Sequence, residues 1–244
     1  MTVRRTLTMA LSMNSGAATT PKLKLQYFNI QGAAEKVRLA FVLGNIPFED
    51  ERVQFSEWGT VKPTTPYGQL PLLTIDGAEP MAQSEAMLRY AGTLANANGV
   101  PLYPSEDMLK IEEARGLVSD LERSWRSPVA VGIDSTEFGY PEGFNGTPEH
   151  AAVVKSVREA FVAGQLPRFM GYFEKRLSPS EGGTDFLCGA APTIADCALV
   201  PVLNRLTSGG VDYVPTTCLE GFPGVCAYVD RFMKLEPVAK WYAE

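Results

Sequence analysis

Histidine is almost missing: the 244 residues contain one, His150. A single imidazole rules out a His-Glu-x-x-His metal site and leaves any Ser-His-Asp triad dependent on one residue in a polar stretch. His150 therefore reads as a surface residue. Cysteine is scarce and late, at Cys188, Cys197, Cys218 and Cys226. No two of these form Cys-x-x-Cys, and the spacing matches neither a zinc site nor a secreted disulfide framework. The pattern points to reduced thiols in a cytoplasmic compartment. No apolar run approaches the ~20 residues that a membrane-spanning helix needs. Positive charge is in the minority, 22 Lys and Arg against 28 Asp and Glu, for a net charge of −6. That balance argues against nucleic acid or an anionic membrane as partner, since both demand basic patches. Acidic residues are absent before Glu35, and Met1 to Thr20 combine Arg4 and Arg5 with many Ser, Thr, Ala and Met. Such a composition suits either an organellar transit peptide or an N-terminal tail with no address.

What remains is a chain of ordinary soluble composition, 45% apolar and 20% charged, long enough for one large or two modest domains. Leu23 to Phe28 alternates like a strand, and Ala33 to Leu43 reads as a helix closed by Gly44-Asn45. A second strand spans Pro47 to Val53, followed by a short, weakly helical stretch from Ser56 to Lys62. A proline-led strand, a hairpin through Met81 and a helix from Ser84 to about Asn96 complete a β-α-β-(α)-β-β-α unit. Residues 99–106 form a linker by composition. Beyond it strand signals nearly vanish. Helices are expected over Asp107 to Trp125, Glu149 to Leu177, Thr193 to Leu206 and Phe222 to Lys234, with loops at Ser127 to Thr147 and Gly182 to Pro192. Thr193-Ile194-Ala195-Asp196 has capping-box form, with Asp in place of the usual Glu or Gln. The expected organisation is an extension over 1–21, a small α/β domain over 22–98, the linker, and an all-helical domain over 107–244.

The most informative stretch is Tyr67-Gly68-Gln69-Leu70-Pro71-Leu72-Leu73-Thr74-Ile75, with Gln83-Ser84-Glu85 shortly after it. Proline fits only at the start or edge of a strand, because it cannot donate to the ladder. The backbone of Leu70 is then free to pair with an extended peptide. At Gln83-Ser84 a helix begins, and a helix start attracts anions through its unpaired N–H groups. Together these features form a receptor for a short peptide bearing a carboxylate. Tyr27, at the end of the first strand, could donate its phenol proton to a thiolate and lower the thiol pKa; its ring could equally serve only as packing. Trp58 and Lys62, four residues apart, offer an indole N–H and an ammonium suited to a second carboxylate, or an ordinary surface pair. Gln69 adds an amide.

Taken in order, these residues resemble the glutathione transferases, and among them the sigma class. The matching stretches are Leu25 to Asn29, Ala34 to Leu39, Glu57-Trp58 with Lys62, Thr65 to Pro71, Ala82 to Ser84 with Arg89-Tyr90, and Thr193 to Asp196. The resemblance implies a thioredoxin-like α/β N-terminal domain followed by an all-α C-terminal domain, a homodimer, and glutathione as co-substrate. It makes Pro71 a cis proline and Tyr27 the hydroxyl that stabilises the glutathione thiolate. Leu70 would pair backbone to backbone with the cysteinyl unit, and Gln69 would face the tripeptide. Gln83 and Ser84 would hold the γ-glutamyl carboxylate, and Trp58 and Lys62 the glycyl carboxylate. Tyr67 resembles the aromatic key that some classes insert into a partner subunit; alternatively it packs within its own chain. Two positions depart from the pattern. Ala33 stands where sigma enzymes often carry Arg, and Arg115 stands nearest to an expected acidic contact, with Asp120 or Glu113 as the candidate substitutes.

The implied reaction is conjugation of the thiolate to a hydrophobic electrophile. Its pocket is expected along Ile30 to Ala33, near Trp125 and near Trp241. Two alternatives keep the fold: a glutathione-dependent isomerase of the prostaglandin D synthase kind, or a non-enzymatic structural or assembly protein. Disulfide exchange is disfavoured because no cysteine precedes Cys188.

Overall fold

The alternation of Leu23, Leu25 and Tyr27 sets the central strand, because a period of two puts all three on one buried face. A computed structural model describes residues 20–178 and 182–243. In it β1 (Leu23–Phe28) pairs in parallel with β2 (Glu49–Val53) and antiparallel with β3 (Leu72–Ile75), giving the order β2-β1-β3. α1 (Glu35–Leu43) and α3 (Ser84–Ala97) pack against each other, and α2 (Trp58–Val61) is a single turn. The expected fourth strand shrinks to one bridge, Leu73 with Met81, held by two backbone hydrogen bonds of 2.8 and 3.0 Å. Pro80 lacks a donor and the helix starts at Ser84, so the segment has no length for a ladder.

The remaining chain is helical: α4 (Met108–Ala130), α5 (Pro148–Ala160), α6 (Leu166–Leu177), α7 (Ile194–Thr207), α8 (Pro223–Met233) and α9 (Glu236–Ala243). α7 is apolar on nearly every side and is buried accordingly, packed on α1, α3, α4 and α8. Its start is the expected capping box. The Asp196 carboxylate accepts from the Thr193 N–H at 2.7 Å and hydroxyl at 2.9 Å, from the Leu187 N–H at 2.9 Å and from the Tyr228 hydroxyl at 3.0 Å. Complete burial pushes this carboxyl up from its ordinary pKa, and the four donors oppose the shift.

Several expectations are corrected. α4 runs on to Ala130 through Pro128, although the sequence suggested an end at Trp125 and a loop from Ser127. Pro128 is buried and its carbonyl accepts from Arg158 Nε at 3.0 Å, so tertiary packing outweighs the local penalty of the proline. His150 is not at the surface. Its backbone N–H is capped by Thr147, its Nδ1 accepts from the Gly146 N–H at 3.1 Å, and Nε2 is therefore the nitrogen that donates to the Val131 carbonyl at 2.9 Å. The histidine fastens the start of α5 to the end of α4. α9 is an additional helix, though Val238, Trp241 and Tyr242 carry its spacing. The proposed transit peptide or tail lies almost wholly outside the described residues.

Candidate functional site

One end of the sheet gathers the sequence-predicted residues. The β1–β3 register ends at Gln26 with Leu72; carried further, it sets Pro71 abreast of Tyr27 and Leu70 abreast of Phe28. The Leu73–Met81 bridge brings the segment that leads into Gln83 and Ser84 alongside β3. The Leu70–Pro71 bond is cis. Leu70 stands outside the ladder, and among the described residues no hydrogen bond engages its backbone. Gln83 sits at φ 80°, a left-handed conformation that costs a side-chain-bearing residue about 1–3 kcal/mol and concentrates at ligand sites. It opens α3, where its carbonyl takes the N–H groups of Ala86 and Met87. The N–H groups of Ser84 and Glu85 are left over, aimed at whatever approaches the helix start. Gln69 is held by its N–H to Thr65 Oγ1 at 3.1 Å. Trp58 packs edge-on against Phe28, 5.2 Å between ring centres, and the Lys62 stem lies beside Gly68. Tyr67 is set apart from this group, 69% exposed.

Tyr27 is 8% exposed, and its Oη accepts from the Ala33 N–H at 3.1 Å. Because that bond uses a lone pair, the phenol hydrogen is still available to an outside acceptor. The approach requires Gly32. A Cβ there would stand 2.5 Å from Tyr27 Oη, and the residue has φ +44°. Gly32→Ala is therefore expected to cost about 1–3 kcal/mol of stability, read from urea unfolding, with a several-fold loss of turnover as Tyr27 is displaced.

Sequence reading missed Arg38, which organises this loop from beneath. It is fully buried, its Nη1 donates to the carbonyls of Ile30 at 2.8 Å and Gln31 at 3.3 Å and to Glu35 at 3.1 Å, and its Nε donates to Asp50 at 3.0 Å. Its guanidinium lies 5.7 Å from the centre of the Tyr27 ring. The available signal was three charges within four residues, Glu35, Lys36 and Arg38, in an otherwise apolar helix. Lys36 is buried too, reaching Glu85 at 2.7 Å and Glu122 at 3.0 Å. Arg115 pairs with Glu85 and Glu112, and burial lowers its pKa, opposed by the charge of Glu122. The two suggested acidic substitutes are engaged within their own chain, Glu113 by Arg176 at 2.9 Å and Asp120 by Arg123 at 3.1 Å.

A cavity of about 580 Å³ opens beside Tyr27, bordered by Ile30 to Ala33, by Trp125 and by α7. Trp241 takes no part in it, contrary to expectation. Its indole N–H donates to Glu35 Oε1 at 3.1 Å and its ring packs on Phe48, because α9 lies against α1.

Over 225 residues the chain is 30% identical to glutathione S-transferase 1 of Ascaris suum, covering 92% of this chain and 97% of that protein. It is 32% identical to glutathione S-transferase 4 of Caenorhabditis elegans, over 83% and 89% of the two chains. The chain belongs to the glutathione S-transferase family. The family model for the glutathione S-transferase C-terminal domain matches residues 146–244. Among solved structures, prostaglandin synthase D of Nilaparvata lugens superposes with a TM-score of 0.72 at 25% identity, covering 92% of this chain and 98% of that one. The transferase fold thus accounts for the small sheet with its attached helical half.

Proposed function

We propose that this transferase binds glutathione at the sheet end described above and adds its sulfur to hydrophobic electrophiles in the adjoining cavity. The observation that carries the reading is the Tyr27 hydroxyl, fixed as an acceptor by Ala33 and left with a proton to give, at the junction of the peptide edge and the cavity. Tyr27 holds the sulfur as thiolate. Leu70 pairs with the cysteinyl backbone behind Pro71, and Gln69 steadies the same strand. Gln83 and Ser84, with the free N–H groups of α3, receive the γ-glutamyl carboxylate. Trp58 and Lys62 receive the glycyl carboxylate.

The sulfur then forms a C–S bond to the electrophilic carbon as a leaving group departs or a double bond takes up the electron pair. Within this reading residues 22–98 form the glutathione-binding domain and 107–244 the helical domain. The protein is a cytoplasmic sigma-class homodimer serving detoxification, with exposed Tyr67 as a dimer contact. Calorimetric titration with glutathione, joined to mass analysis of products from an aryl halide, tests it. Binding and a stable thioether are expected; no heat with millimolar glutathione would overturn the site. The likeness to a prostaglandin synthase D supports a second reading, isomerisation with glutathione returned unchanged. A rearranged endoperoxide accompanied by free thiol would identify that reaction.

A further inference from the structure

The cavity beside Tyr27 is a slot between two helices that run in the same direction. At their starts, Cys188 Sγ donates to the Lys110 carbonyl of α4 while the neighbouring Leu187 N–H binds Asp196 of α7. At their ends, Arg158 spans from the Pro128 carbonyl of α4 to the carbonyl of Asp212, just past α7. α7 presents Ala198, Pro201, Val202 and Arg205 to the slot, a single stripe at i, i+3, i+4 and i+7. α4 presents Trp125, Val129 and Ala130, and Ile133 follows just past its end, so the walls are mostly apolar.

The charges on this slot are unevenly matched. Lys36 meets Glu122 at 3.0 Å as well as Glu85 at 2.7 Å, and Arg123 holds Asp120 at 3.1 Å. Arg126 and Arg205 also border the slot, and among the described residues neither has a carboxylate partner. They come from different helices. A third guanidinium, Arg158, lies nearby: burial lowers its pKa, the Asp212 carboxylate at 4.0 Å opposes the shift, and the charge of Arg205 adds to it. In a chain of net charge −6, this is a local cationic end on an apolar slot. Glu122, through Lys36, marks the Tyr27 end; Arg126 stands one helical turn beyond it, about 6 Å along the axis.

Resting on the transferase reading above, we infer that the second substrate is an amphipathic organic anion. Its apolar body fills the slot with the electrophilic carbon toward Tyr27, and its anionic group is held by Arg126 and Arg205. These two arginines are specificity determinants. They do not touch the reacting atoms.

The test compares 4-chloro-3,5-dinitrobenzoate with its methyl ester, which share the reacting carbon. With glutathione, a C–S bond forms there, chloride leaves with the C–Cl electron pair, and the thiol proton passes to solvent. The ester activates the ring differently, so the acid-to-ester ratio of kcat/KM is compared between proteins. An exposed ion pair is worth up to about fivefold, so the double variant Arg126→Gln/Arg205→Gln is expected to lower the ratio about tenfold. Arg168→Gln, on α6, should leave it where it was. A ratio unchanged in the double variant overturns the inference. A second readout does not need turnover: fluorescence titration with 8-anilinonaphthalene-1-sulfonate and with uncharged N-phenyl-1-naphthylamine. The double variant should weaken the sulfonate about tenfold relative to the amine, and equal changes for both probes also overturn the inference. If neither acid nor ester is conjugated, the transferase reading fails, and the two probes alone decide the anion preference.

Discussion

Tyr27→Phe is expected to lower glutathione-dependent turnover between about 6- and 50-fold at pH 6.5, with the deficit closing near pH 9. A free thiol titrates near 8.5, and a donor that lowers it by about two units supplies roughly 2.7 kcal/mol of preference for the anion. At pH 6.5 half the sulfur is then thiolate, against about 1% without the donor, which sets the upper figure. The lower figure allows for the greater intrinsic nucleophilicity of the more basic thiolate. The signature is the pH dependence. A donor to the anion acts below the free thiol's pKa and loses its advantage above it, so the acid limb of the pH–rate profile should move up by about two units. Phe keeps the ring in the core and removes only the hydroxyl, at the cost of leaving the Ala33 N–H without its acceptor. A Phe variant with the parental rate and limb at saturating glutathione would remove Tyr27 from its role.

How far the chain could be read from its residues depended on the range of the interactions involved. Local patterns were decisive for β1, where Leu23, Leu25 and Tyr27 share a face, and for the Thr193–Asp196 box, whose two partners lie three residues apart. The residues proposed for the tripeptide rest on chemistry of the same range: a strand start with a proline and a helix start are both local features. Distant contacts were not legible. The continuation of α4 past Pro128 depends on Arg158, thirty residues away, and the burial of His150 on the carbonyl of Val131. Trp241 was assigned to the electrophile pocket because it lies near the chain's end. Its indole instead meets Glu35, 206 residues earlier, a pairing that no periodicity encodes. Arg38 was hidden for the opposite reason. At the start of a helix a charged residue looks solvated, and only the closed loop from Ile30 to Ala33 reveals how many acceptors it serves.

Those acceptors make Arg38→Met the most damaging single change expected. The methionine fills similar space but leaves Glu35, itself 1% exposed, without its cation and the Ile30 and Gln31 carbonyls without their shared donor. Removing one partner from a buried pair costs about 3–5 kcal/mol, because the other charge remains desolvated. The urea midpoint should fall accordingly, and adding Glu35→Gln to the variant should recover part of the loss by removing the stranded charge. Asp50 retains Arg52 at 2.5 Å, so it contributes little to the penalty. The kinetic consequence separates a purely structural role from a positioning one. Arg38 fixes the turn whose Ala33 N–H orients the Tyr27 hydroxyl, so in the folded fraction of Arg38→Met the acid limb of the pH–rate profile should shift in the same direction as in Tyr27→Phe, by a smaller amount. A parental limb in that fraction would confine Arg38 to stability and leave the orientation of Tyr27 to Gly32 and Ala33 alone.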